Sequence, residues 1–355
     1  MHYTAIPPAS LALLKRGTVI PAHLLALDAD RRLDERRQRA MSRYYLDAGA
    51  GGLAVGVHST QFAIRERGLY RPVLELAMHE ALNWEPLDGR RPLFMTAGLA
   101  GKTAQAIDEA TTARHLGYHA GLLSLAALKG ASEDALIDHC RAVADVMPLV
   151  GFYLQPAVGG IHLPASFWRR FAAIDNVVAI KMAPFNRYRT LDVLRGVVEA
   201  RAEGRVTLYT GNDDHIVLDL LTPFTFRRDG VDVAVRIKGG LLGHWSVGTR
   251  KAVDLLWRVH DAVAHGQVPT ELLALDAQVT DCNAALFDVA NDFKGCIAGC
   301  HEVLRRQGLL AGTWCLDPDE CLSEGQADEL TRVHDAYPDL HDDAFVASHL
   351  PRWMA

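Results

Sequence analysis

The sequence predicts an α/β chain whose parallel strands close into a barrel of eight, with helices around it and more helices after it. Three observations lead there. Short β-rich runs alternate with longer amphipathic stretches along most of the chain, the pattern of a parallel sheet covered by helices. Eight such units fit within about 250 residues, the usual length of a (β/α)8 TIM barrel. No Gly-x-Gly-x-x-Gly follows the first strand, so the fingerprint of an open dinucleotide-binding sheet is missing.

The units run in order. A strand over 18–23 precedes a helix over 32–48, in which Leu33, Ala40, Met41, Tyr44 and Ala48 recur among charges. A second strand over 51–57 leads to a helix over 69–83, with Pro72 tolerated in its first turn. Strand three spans 92–97 and its helix 103–116; strand four spans 119–125, and Ser132 is an N-cap for the helix to 146. Strand five covers 148–153, with a helix near 164–174. Strand six covers 177–182 and strand seven 206–210, each followed by a helix, over 190–202 and 213–221. Strand eight lies within 233–242, and its helix runs over 249–265. Asp229-Gly230, between alternating segments, is a hairpin signal. It places a small insertion at 224–236, before or merging into strand eight.

After 265 the pattern is helical only, over 270–289, 291–308 and 325–336, and the last twenty residues read as an irregular tail. The expected organisation is a barrel over 1–266 with the hairpin insertion, then a C-terminal helical extension and tail over 267–355.

Composition excludes several classes. Net charge is −6 and there is no run of five like charges, which argues against a nucleic-acid partner. The basic stretch from Arg31 to Arg43 is interleaved with acids and apolar residues, as on a solvated helix face. No apolar run reaches the length of a membrane span. The six cysteines include no C-x-x-C pair and read as reduced thiols of a cytoplasmic protein. Cys296 and Cys300 stand four apart on a helix without zinc-type partners, so no metal is expected there.

In such a barrel, chemistry sits where strands end. The polar residues at predicted strand ends are His23, then His58, Ser59 and Thr60, then Thr96, Ser124, Tyr153, Lys181, Asn212 with Asp213, and His244. Lys181 closes the apolar run Val177-Val-Ala-Ile-Lys181. A lysine is almost never buried without a reason. Desolvation lowers its pKa, and a neutral amine can form a Schiff base with a carbonyl. The same segment also allows a lysine that reaches from the strand end to a surface carboxylate. Tyr153 ends the neighbouring strand, where its phenol is either a proton shuttle or a packed rim residue.

Tyr153-Leu-Gln-Pro156 and Ala179-Ile-Lys181 place the tyrosine 28 positions before the lysine. Together with Gly211-Asn-Asp-Asp214 and Ala50-Gly-Gly-Leu-Ala-Val-Gly56, they resemble the dihydrodipicolinate synthase / N-acetylneuraminate lyase family of class I aldolases. The likeness runs from about Thr18 to Val333. It implies a catalytic Schiff-base Lys181, a proton-relaying Tyr153 and a loop of Val57, Ser59 and Thr60 that holds a 2-oxo acid carboxylate. Asn212 is expected to orient substrate or its neighbours. It also implies no cofactor and a homo-oligomer, a tetramer or dimer.

Departures accompany the likeness. The family's Gly-Thr-Thr-Gly-Glu loop is here Gly56-Val-His-Ser-Thr-Gln61, and Ser124-Leu-Ala-Ala-Leu stands where a relay tyrosine is usual. The arginine that holds a second carboxylate maps near Val158. Histidine fills the gap: His58 is the candidate general base, with His23 and His244 expected at the substrate, or all three at a metal. The expectation is an aldolase or lyase acting on pyruvate, or on a pyruvate-derived aldol, with an uncharged aldehyde-type partner; it is not a true dihydrodipicolinate synthase. The alternatives are a dehydratase or hydratase using the same imine, and a non-catalytic ligand-binding barrel.

Overall fold

A computed structural model describes residues 1–355. The chain order is α1 (Pro8–Arg16), β1 (Val19–Pro21), α2 (Glu35–Ala48), β2 (Ala54–Val55), α3 (Tyr70–Asn83), β3 (Thr96–Leu99), α4 (Thr103–His115), β4 (Ala120–Leu123), α5 (Glu133–Ala144), β5 (Leu149–Leu154), α6 (Ala165–Ala172), β6 (Val177–Ala183), α7 (Arg187–Glu199), β7 (Thr207–Thr210) and α8 (Ile216–Leu221). Then come the hairpin strands β8 (Phe224–Arg228) and β9 (Val231–Val235), β10 (Ile237–Leu242), α9 (Thr249–His265), α10 (Thr270–Leu286), α11 (Cys296–Arg306), α12 (Gln326–Ala336) and α13 (Asp343–Met354).

Eight parallel strands form one sheet in the order β1-β10-β7-β6-β5-β4-β3-β2. Its two ends meet through a parallel bridge between Ala22 and Ala54 and a hydrogen bond from His23 N–H to the Ala54 carbonyl (2.8 Å). The result is a nearly closed (β/α)8 barrel with extra C-terminal helices. Every strand except the hairpin pair is almost wholly buried, which is why its sequence reads as a continuous apolar run. The hairpin β8–β9 is antiparallel and turns at Asp229 and Gly230, both in the left-handed region (φ 52° and 78°).

Side chains alternate across each strand, so two cores form. The inner one holds Val150, Phe152 and Leu154 of β5, Ala179 and Ala183 of β6, Tyr209 of β7 and Leu241 of β10. It is plugged at the bottom by α1, where Leu14 is buried and its carbonyl accepts from Tyr209 Oη (3.0 Å). The outer core lies between the strands and the helix ring.

Two segments correct the sequence reading. Helix α1, missed in the sequence, has Pro8 in its first turn and ends at Gly17 (φ 96°), where a Cβ would collide with the Lys238 carbonyl. The expected irregular tail is instead α13. Phe345, Val346, Leu350 and Trp353 recur at helical spacing, and Pro351 falls in the last turn, where it breaks little. The helix packs on α2 and is tied down by Asp47, whose buried carboxylate accepts from Trp84 Nε1, the Leu87 N–H, Arg352 and Trp353 Nε1.

Asp47→Ala is expected to destabilise the protein by about 3–5 kcal/mol, because it strands a half-buried guanidinium and two indole donors. Chemical denaturation checks this; an unchanged midpoint would refute the anchoring role.

Candidate active site

Lys181 sits on the inward face of β6, level with Phe152 of β5 and Tyr209 of β7. It is 7% exposed, and Nζ lies 4.5 Å from the centre of the Phe152 ring. Gly211, just past β7, makes room for it: a Cβ there would come within 2.6 Å of Lys181 Cε.

A cavity of about 70 Å³ opens at this end of the barrel. Its polar lining is His58, Ser59, Gln155, Lys181 and Asp213; Val57 also lines it. The rest is apolar or thiol: Phe152, Leu154, Val158 and Phe185 from the barrel, then Phe287, Phe293, Cys296, Ile297 and Cys300 from the segment that crosses the mouth. Burial pushes the Cys296 thiol up to about 12 and raises the Cys300 thiol well above its usual range, so both are neutral wall groups.

The electrostatics centre on an acid and a base held out of water. Burial lowers the Lys181 amine from its usual range, to about 8, and the charge of Asp213 partly restores it. Burial raises the Asp213 carboxyl, and Lys181 partly offsets that. Asp213 Oδ1 is buried without a hydrogen-bond partner. His58 is pushed down to about 4 by burial and by the nearby Lys181 charge, so its ring is neutral near pH 7.

The structure gathers four of the nine residues expected from sequence: Lys181, His58, Val57 and Ser59. Five lie elsewhere. Tyr153 points outward, its ring 5.3 Å from Trp168 and its hydroxyl accepting from the Leu163 N–H (3.2 Å). The cause is a bulge. Leu149 pairs with Val177 but Val150 pairs with Ala179, so Val178 is an extra residue and Phe152, not Tyr153, stands opposite Lys181. His23 is fully buried; Nδ1 donates to the Leu24 carbonyl and Nε2 accepts from Ser42 Oγ (both 2.8 Å). Thr60 faces back into its own loop, where its hydroxyl donates to the His23 carbonyl (2.6 Å) and accepts from the Gly56 N–H (3.0 Å). Asn212 braces the site from behind: Nδ2 donates to Thr190 and Asp219, and Oδ1 accepts from the Phe185 N–H. His244 lies in a neighbouring cavity, bonded to Asn283. The three histidines therefore do not converge. The turn at 126–128 does not line the cavity, whereas Val158 does.

Sequence reasoning placed Asp213 at a strand end without giving it a role. The signal was present, since an acid beside Gly211 at the end of β7 must face the neighbouring strand's lysine. The aromatic and thiol wall from 287–300 had no comparable signal.

Residues 15–223 match the Dihydrodipicolinate synthetase family. The chain belongs to that family. It is 28% identical over 229 residues to the 4-hydroxy-tetrahydrodipicolinate synthase of Desulforudis audaxviator, covering 63% of this chain and 71% of the relative. It is 26% identical over 206 residues to the N-acetylneuraminate lyase of Citrobacter koseri, covering 57% and 65% respectively. Among solved structures, the chloride-inhibited dihydrodipicolinate synthase of Acinetobacter baumannii complexed with pyruvate superposes with a TM-score of 0.72 at 17% identity, over 92% of this chain and 99% of that one. At that identity the likeness is one of fold.

Replacing Asp213 by Asn removes the charge that holds the Lys181 ammonium, leaving burial to act alone. The apparent pKa of Lys181 is expected to fall further below its usual range. Trace acylation of Lys181 as a function of pH checks this; an unmoved or higher midpoint would refute the coupling.

Proposed function

We propose that this family member is a Schiff-base-forming class I aldolase or lyase acting on a 2-oxo acid, either pyruvate or a pyruvate-derived aldol. One observation carries the reading. A buried lysine amine with a lowered pKa shares a small cavity at the strand ends with a buried, unpartnered carboxyl.

The chemistry follows from the groups present. Lys181 Nζ attacks the C2 carbonyl, the carbonyl oxygen takes up two protons and leaves as water, and an imine remains. His58, neutral at working pH, accepts protons; Asp213, raised by burial, takes up the proton that the Lys181 ammonium releases and gives it to the departing oxygen. The protonated imine draws electrons from C3, which loses a proton to become an enamine carbon and attacks an aldehyde carbonyl. The reverse sequence breaks the same bond, and water returns the free amine. The proton traffic that the family resemblance gives to a tyrosine falls here to His58 and Asp213, since Tyr153 faces the helices. The substrate carboxylate fits the turn at Val57–Thr60, where the first N–H groups of a short 3-10 turn lack intrahelical partners.

The second substrate meets a different surface. Phe185, Phe287, Phe293, Ile297 and Val158 supply no cation for another carboxylate. An uncharged, apolar aldehyde fits this wall, and aspartate semialdehyde does not, so dihydrodipicolinate synthesis is not the assigned reaction.

Incubation with pyruvate and borohydride is expected to place a reduced adduct on the Lys181 peptide, read by mass spectrometry. Lys181→Arg should lose the adduct and all turnover with an unchanged circular dichroism spectrum. Failure to label Lys181 with any of several 2-oxo acids would overturn the proposal.

A further inference from the structure

Beside the Lys181 cavity lies a larger one of about 380 Å³, between α10, α11, α12, α13 and the loop after β10. Its size is that of a small-molecule site. Leu286, Leu330, Val333 and Leu340 form most of its apolar wall. Its polar groups share a property: several acceptors there are left without a partner.

Gln307 shows it best. Its Nε2 donates to Asp342 Oδ1 (3.2 Å) and Asp343 Oδ1 (2.7 Å), which fixes the amide orientation. Its Oε1 is then buried with no partner at all. Such an orphan acceptor is a cost to the fold unless something fills it. His244 adds a second acceptor. Asn283 Nδ2 donates to the Asp213 carbonyl (2.7 Å), so its Oδ1 faces His244 and Nδ1 of that ring carries the hydrogen. Nε2 is left as a lone pair. His341 is a third, since Nε2 donates to the His334 carbonyl (2.6 Å) and Nδ1 is left as an acceptor.

Most donors at the same wall are engaged. Arg306 uses three of its five N–H groups, toward Glu302, Thr331 and the Ala327 carbonyl. Both His334 nitrogens face carboxylates, of Asp335 and Asp343. A carboxylate alone would leave these lone pairs unfilled, and an ammonium would meet the Arg306 cation. A neutral hydroxyl or amide N–H meets what is missing.

We propose that this cavity is a binding site for a small uncharged molecule with an apolar body and a hydroxyl or amide donor. The site is distinct from the Lys181 cavity but shares its wall. Gly243 and His244 are consecutive residues facing the two cavities, as are Phe287 and Leu286, and Asn283 ties His244 to the Asp213 backbone.

Benzyl alcohol is the probe and benzyl methyl ether its uncharged acceptor-only counterpart, both titrated calorimetrically into the full chain. Benzyl alcohol is expected to bind saturably, at least tenfold more tightly than benzyl methyl ether. Ala347→Trp, at the exposed edge of α13, should weaken benzyl alcohol at least tenfold with an unchanged melting curve. If that variant does not fold, Val303→Met narrows the same wall from α11 and should weaken binding in the same direction. Lys181→Arg should leave binding unchanged, which separates this site from the reactive cavity. No saturable binding, equal binding of benzyl methyl ether, binding that survives a folded plugging variant, or loss of binding in Lys181→Arg would overturn the proposal.

Discussion

Taking an ammonium group out of water costs several kcal/mol unless the surroundings compensate it. The end of β6 imposes that cost and supplies only part of the compensation. The Phe152 ring and the charge of Asp213 favour the cation, and burial opposes it. The balance leaves an amine that loses its proton far more readily than a surface lysine. The local design follows from this. Gly211 has no side chain because Lys181 Cε occupies the space, and Asn212 braces the loops on either side through Phe185, Thr190 and Asp219. The Asp219 that anchors Asn212 is itself buried against Arg187.

Support for the site comes from the far side of each strand. Tyr209 faces the barrel interior level with Lys181 yet reaches down to the Leu14 carbonyl of α1. Thr210, its neighbour, faces outward and donates to Asp219 Oδ2 (2.7 Å). Consecutive residues thus connect the reactive end of the barrel to its plug and to its helix ring. A parallel barrel makes this possible, because both faces of every strand are buried and every side chain has something to hold.

Much of this was legible in the sequence, and the exceptions have physical causes. Alternating runs gave the strands, and an isolated lysine in an apolar run stood out because apolar surroundings do not tolerate one without use. The family resemblance rested on the same residues and agrees with the family match. Tyr153 was misplaced because the spacing between it and Lys181 counts residues, whereas pairing counts hydrogen bonds. One extra residue at Val178 changes which side chain stands opposite the lysine, and no local propensity marks it. His23 and Thr60 sit at strand ends as expected, but turn away from the cavity to satisfy backbone groups, the Leu24 and His23 carbonyls. The wall from 287–300 depends on long-range docking of helices onto the barrel, which periodicity does not encode.

That wall has a consequence for how the protein has diverged. The lysine, its carboxyl partner and the turn at Val57–Thr60 all lie within residues 15–223, the length that matches the family. The Phe287–Cys300 segment that faces them lies beyond it. Under the proposed function the reacting groups sit on the matched length alone, while the wall around the second substrate is shared between Val158 and Phe185 on that length and the segment beyond it. On that reading, family membership is a guide to the bond that reacts and a poorer guide to the molecule that carries it.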